Sequence, residues 1–200
     1  MLVRSFVLNC LKPLVLLGLL TTWVQAQSLT FEADYIDGLG EVAWLEGEIE
    51  TRSLADFDHF MAGNPDTRLL IFYDVPGSGD DITNIALSAR IRALGLDTYA
   101  PGDSFIASGG VDLFLAGVER TIDCGAQLGV HSWQAGDGVE GSELPRTDPE
   151  HHLYLDYYRS IGVADAFYWY TLEAASAADI HFMSDAEIAQ HGLATTKRAC

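Results

Sequence analysis

Leu69-Leu70-Ile71-Phe72-Tyr73-Asp74-Val75-Pro76-Gly77-Ser78-Gly79-Asp80-Asp81 is the stretch on which the fold turns. Its first five residues form a continuous apolar run of strand length, which suits a strand buried on both faces. Residues 74–81 are turn-rich, and Ile82 to Ala93 then reads as a helix stopped by Gly95. A doubly buried strand followed directly by a helix is the repeating unit of a parallel sheet. The alternation continues outward in both directions. Upstream, Val42 to Ile49 reads as a short strand. Ser53 to Met61 reads as a helix, with Ser53 as N-cap and Leu54, Phe57 and Phe60 at helical spacing. Downstream come a strand at Leu96 to Ala100, a helix from near Ser108 to Gly117, and the pair Leu128 and Val130 around Gly129, just ahead of His131. The fold class is therefore α/β, a mostly parallel sheet with flanking helices. Beyond Glu150, Leu153, Tyr157, Ile161, Phe167, Tyr170 and Leu172 suggest two helices broken near Gly162, and Asp185 to His191 a short helix closed by Gly192. Residues 134–149, rich in Gly, Glu and Asp, read as a mobile surface loop.

Composition narrows the class. The 200 residues carry 29 acidic and 11 basic side chains, a formal charge of −18, and 48% are hydrophobic. Four Trp, nine Phe and eight Tyr supply a core, so the chain is not disordered. Its acidity repels phosphate, which makes nucleic acid and anionic membrane poor partners. Residues 1–26 have the form of a signal peptide: Arg4 and Lys12, then the apolar Leu14 to Leu20, then Val24-Gln25-Ala26 at the cleavage position. The apolar run is shorter than the roughly 20 residues of a membrane span. The mature chain, 27–200, is then a single exported domain, and Lys197 is its only lysine. Cys10, Cys124 and Cys200 have no CxxC spacing, so a zinc ribbon or disulfide scaffold is excluded. Cys124 and Cys200 could pair in an oxidising compartment, or remain two thiols.

Chemistry concentrates in Phe105-Ile106-Ala107-Ser108-Gly109-Gly110-Val111-Asp112-Leu113-Phe114-Leu115-Ala116-Gly117. A nucleophilic serine at a helix entrance needs small neighbours, since the turn is sharp and substrate must come close; Ala107, Gly109 and Gly110 meet that need. The amide of Gly109 would be free to donate to an oxyanion. The alternative is an ordinary N-cap serine. The second small-residue turn, Val75 to Gly79, could supply further amides or hold an extended peptide, and it lacks the Gly-Lys-Ser/Thr of a phosphate loop. His131, at the end of an apolar run, is the candidate base, against the reading of a core histidine. Asp179 and, after it, Asp112 are candidates for the carboxylate that orients the imidazole. His59, His151, His152, His181 and His191 are scattered, and the adjacent pair cannot chelate from one helix face. No metal or other cofactor is expected.

Together these pieces resemble the Clp protease proteolytic subunit and its crotonase-like superfamily, most of all its exported bacterial members, over roughly Gly40 to Thr195. The family's glycine turn after a buried strand corresponds to Val75-Pro76-Gly77-Ser78-Gly79, and its nucleophile turn and helix to Ala107-Ser108-Gly109-Gly110 and Leu115-Ala116-Gly117. Its strand ending in histidine corresponds to Gly129-Val130-His131, and its late acidic residue and helix start to Asp179 and Phe182-Met183-Ser184. The resemblance implies repeated ββα units and Ser108 as nucleophile. It also implies His131 as base, Asp179 as orienting carboxylate, and the amides of Gly77, Ser78 and Gly109 as oxyanion donors. It further implies an extended peptide substrate and assembly into homo-oligomers. The expected function is an exported, periplasmic serine hydrolase, a peptidase working by acyl transfer; the alternative is an inactive binding or assembly module. An acyl-CoA enzyme, which needs a basic nucleotide pocket, fits the acidic composition poorly. Two features depart from the family pattern. Ser78 stands where a glycine is usual, and Asp179 lies one residue further from Phe182 than the pattern places it.

Overall fold

The computed structural model describes residues 27–197, so the expected signal peptide, Cys10 and Cys200 lie outside the described residues. Among the described residues nine strands form one sheet. β1 (Thr30–Ile36) and β2 (Gly40–Glu46) make an antiparallel hairpin. β2 runs parallel to β3 (Leu69–Val75), with Val42 opposite Leu69 and Leu45 opposite Phe72. β1 lies mostly in solvent, paired with β2 alone, and its mixed polar and apolar residues gave no strand signal.

At β3 the sheet forks. β2 pairs along β3 from Leu69 to Asp74, and the opposite edge is shared by two parallel partners. Leu69 to Ile71 pair with β4 (Asp97–Ala100), whereas Asp74 and Val75 pair with β5 (Phe105–Ala107). One branch continues from β4 to β6 (Arg120–Ile122) and on to β9 (Thr196–Lys197), all parallel. The other continues from β5 to the parallel β7 (Gln127–Val130) and the antiparallel β8 (His181–Phe182). β5, β6, β8 and β9 are two or three residues long, too short for periodicity to reveal them.

Helices cover the sheet: α1 (Ser53–Gly63), α2 (Asp81–Ala93), α3 (Gly109–Leu115), α4 (His152–Ile161), α5 (Asp165–Ala174) and α6 (Asp185–Gln190). Every residue of α3 is buried, which explains its run of apolar side chains without a polar stripe. Phe72 of β3 meets Phe114 of α3 edge-on at 5.5 Å, and Phe57, Leu70, Leu87 and Ile91 fill the same core. Local chemistry sets the helix ends. The carboxylate of Asp80 accepts the Thr83 amide at the start of α2, and Ser184 and Glu187 form a capping box on α6. Gly162, left-handed at φ 79°, ends α4 where the sequence broke. Ser53 is not the N-cap of α1; Arg52 holds that position, and the Ser53 hydroxyl accepts the Glu50 amide instead. The segment read as a mobile loop, 134–149, is tied down. Gly141 donates to the Trp133 carbonyl and packs against its indole, and Ala135 donates to Val139.

Candidate active site

The β5 branch delivers two residues to one end of the sheet. β5 and β7 are parallel with Ala107 opposite Gly129, and the Ser108 amide extends the pairing by donating to the Gly129 carbonyl at 2.9 Å. Ser108 and His131 therefore leave neighbouring strands at their carboxyl ends, where open parallel sheets bind ligands.

The backbone of Ser108 is unusual. At φ 51°, ψ −129° it is the only non-glycine residue with positive φ among the described residues. Such a conformation costs on the order of 1–3 kcal/mol and is found at strand-to-helix corners that present a nucleophile. An N-cap serine would sit in the β region and accept a helix amide. Ser108 does neither: its hydroxyl makes no cap bond and has no hydrogen-bond partner among the described residues. Its neighbours permit the corner. A Cβ on Gly109 would lie 2.4 Å from Ser78 Oγ, and one on Gly110 would lie 2.2 Å from the Val75 carbonyl oxygen, so the corner packs directly on the β3–α2 turn. Buried Asn84 fastens the two together by donating Nδ2–H to the Gly109 carbonyl at 2.9 Å. Among the described residues the amides of Gly77, Ser78 and Gly109 donate to no hydrogen bond.

Ser108, Ser78, Gly109 and His131 line one cavity of about 250 Å³. The His131 imidazole is half-buried, and its Nδ1 lies 2.7 Å from the Ser132 carbonyl oxygen. A carbonyl can only accept, so Nδ1 donates in this bond and Nε2 is the ring nitrogen left to act on Ser108. No hydrogen bond joins Ser108 Oγ to His131 among the described residues.

Asp179 takes no part in this arrangement. It is exposed, does not line the cavity, and accepts the Ile180 amide with its own carboxylate at 2.8 Å. In the β7–β8 ladder Val130 faces His181, and Ile180 packs over Gly129. The chain thus presents Ile180 to the strand and turns Asp179 outward. The place expected of its carboxylate, beside Nδ1, is filled by the Ser132 carbonyl.

The carboxylates at the cavity are others. Asp112, one turn into α3, is 8% exposed; Tyr158 donates its hydroxyl to Oδ1 and Tyr157 donates to its backbone carbonyl. Burial raises the Asp112 carboxyl to about 7, the Tyr158 bond opposes that rise, and the charge of Asp81 adds to it. Asp81, at the start of α2, accepts hydroxyl bonds from Ser78 and from Tyr154, the latter at 2.6 Å. Trp133, Tyr154 and Tyr168 stack as a wall, with adjacent ring planes within 15° of each other. Tyr168 accepts the Trp133 indole N–H, and the fully buried His151 lies 2.6 Å from its hydroxyl. Burial pushes the hydroxyls of Tyr154 and Tyr158 well above the ordinary tyrosine range. Asp112 was visible in the sequence as a lone acid in an apolar helix. The roles of Asp81 and the tyrosines were not, because contacts spanning 73 or 46 residues leave no local pattern.

Cys124 is disulfide-bonded, while Cys200 lies outside the described residues. His151 is buried and His152 exposed, and among the described residues no group of three or more His, Cys, Asp or Glu could hold a metal ion. Among the same residues no helix is long and apolar enough to cross a membrane.

No protein-family model matches the chain, and no curated protein matches it in sequence. Solved structures do. A serine-to-alanine mutant of the 1510-N membrane-bound stomatin-specific protease superposes with a TM-score of 0.55 at 17% identity, covering 78% of each chain. A lysine-to-alanine mutant of that protease, in complex with a substrate peptide, gives 0.50 at 16% identity over 76% of this chain and 73% of the other. A putative enoyl-CoA hydratase from Rhodopseudomonas palustris gives 0.50 at 14% identity over 84% of this chain and 68% of that one. The fold is that of the ClpP/crotonase proteins.

Proposed function

We propose that the chain is an exported, periplasmic serine hydrolase, a peptidase in which Ser108 is the nucleophile and His131 the general base. The observation that carries this reading is the strained, uncapped Ser108, which lines the same cavity as the His131 imidazole. Ser108 Oγ adds to the substrate carbonyl carbon while His131 Nε2 takes the hydroxyl proton. The amides of Gly109 and of Gly77 or Ser78 receive the oxyanion. His131 returns the proton to the departing nitrogen or oxygen as its bond to carbon breaks. Water, deprotonated by the same imidazole, then releases the acyl group and restores Ser108. The bond from Ser108 to His131 would close as substrate docks. The complex of a protein of this fold with a substrate peptide supports a peptide as substrate.

A fluorophosphonate probe tests the reading. It should label the purified protein at Ser108, and Ser108→Ala should abolish both the label and at least about 10³-fold of any ester hydrolysis. Ser108→Gly should lose the label too, yet gain about 1 kcal/mol of stability in urea unfolding as the backbone strain is relieved. Failure of the wild type to label would favour the second reading, a binding module, which the missing Ser108–His131 bond also favours.

A further inference from the structure

The cavity has a charge pattern that serine acylation does not use. Two carboxylates, Asp81 and Asp112, line it, and neither lysine nor arginine does. His131, the only imidazole in the lining, is engaged through Nδ1 by the Ser132 carbonyl. Asp112 is more than nine-tenths buried, and its Oδ1 is engaged by Tyr158. Its Oδ2 has no partner among the described residues, although the side chain borders empty space. A carboxyl oxygen at a cavity wall that the protein leaves without a donor or cation is open to one brought by a ligand. The wall also includes Tyr154, Tyr168 and Trp133, whose rings offer apolar surface to the methylenes of a long side chain. About 250 Å³ falls below the roughly 300–1,000 Å³ of pockets that take drug-sized ligands, so the space suits one side chain rather than a coenzyme.

We propose that this cavity is a specificity pocket for a cationic side chain, lysine or arginine of the substrate, whose ammonium or guanidinium group binds between Asp81 and Asp112 while its methylenes lie along the tyrosine wall. The site rests on the hydrolase reading for its coupling to Ser108, whereas the cation pocket itself does not. Entry of the cation supplies donors to Asp112 Oδ2 and favours release of the proton that burial keeps on Asp112. The same pocket disfavours acidic side chains, as does the net charge of −18 on the whole chain.

The test separates the two readings. Thiobenzyl esters of Nα-blocked lysine, norleucine and glutamate are compared by kcat/KM, with Ser108→Ala as the blank. Lysine is expected to exceed norleucine by at least about 10-fold and glutamate by more. In Asp112→Asn or Asp81→Asn the lysine-to-norleucine ratio falls toward one, whatever happens to either absolute rate. Turnover that depends on Ser108 and shows no lysine preference overturns the pocket and leaves the hydrolase intact. If no ester is turned over, benzamidine binding is measured by Trp fluorescence. Binding that weakens at least about 10-fold in both aspartate variants upholds the cation pocket without the hydrolase. No binding, or equal binding in the variants, overturns it.

Discussion

On the β4–β6–β9 branch the buried cation, Arg120, is bonded by the fold itself. Its Nε donates to the Leu193 carbonyl at 2.7 Å and its Nη1 to the Gly117 carbonyl at 3.1 Å, while its backbone pairs with Thr195. On the β5–β7–β8 branch polar groups at the cavity are left partly open: the Ser108 hydroxyl, Asp112 Oδ2 and the Gly109 amide all lack partners among the described residues. The two branches share β3 and similar strand lengths, so the sheet does not create the difference. Polar groups satisfied internally hold a fold together, and those held open by a rigid frame are available to a ligand.

The largest expected effect that divides the branches is on the response of stability to pH. With its carboxyl at about 7 in the fold against the ordinary aspartate value of 3.8, Asp112 keeps a proton that the unfolded chain has already released. Its contribution is thus fully present below about pH 4 and is lost as pH rises to about 7, with a ceiling of about 4 kcal/mol at about 1.4 kcal/mol per pH unit. Asp56, Asp80, Asp165 and Glu187 have lowered values, so their contributions are lost in the opposite direction, on acidification below about pH 4. Between pH 4.5 and 7.5 the Asp112 contribution falls while that of His191, whose imidazole burial holds below the ordinary value, rises, so the test is the difference in slope of urea unfolding between the wild type and Asp112→Asn. The slope of stability against pH should be more positive in Asp112→Asn. Equal slopes in both proteins would mean that Asp112 is ionised and paired, and the contrast between the branches would fail.

Legibility followed sequence range. The apolar β3, the helices α1 and α2, and the Gly162 break declare themselves within a few residues, and the structure has each where the pattern put it, with β3 buried on both faces from Leu70 to Phe72 and exposed at Tyr73. The corner at Ser108 was legible because glycine and alanine around a serine have a local steric meaning. The fork was not, since no local signal states which two strands share one edge of β3. Asp179 was misplaced for a related reason. Its neighbours specify a turn, but which way an exposed aspartate points depends on Ile180 packing over Gly129, some 50 residues distant in sequence.

Arg120→Met gives an intermediate effect. Losing the guanidinium leaves the Leu193 carbonyl unpaired, while Gly117 keeps a bond from Arg92 at 2.8 Å, so the cost should be about 2–3 kcal/mol in urea unfolding. The rate of fluorophosphonate labelling at Ser108 should not change, because no bond of Arg120 reaches the cavity. A labelling rate that falls with stability would show that the branches are coupled through β3, and the division drawn above would have to go.

The smallest expected effect is the most informative about the imidazole. In serine hydrolases that use a carboxylate to hold histidine, exchanging that carboxylate costs about 10⁴-fold in turnover, because the ring loses its tautomer. In this chain the tautomer is fixed by the Ser132 carbonyl at 2.7 Å, a backbone group that no substitution removes, and Asp179 points to solvent. Asp179→Ala should therefore change Ser108-dependent turnover by less than about 3-fold and stability by about 0.5 kcal/mol or less. A loss of 10³-fold with stability preserved would show that substrate draws the β8 segment inward until Asp179 replaces the carbonyl at Nδ1. The β5–β7–β8 branch would then be the one that moves, and the open polar groups of its cavity would be unfinished until substrate completes them.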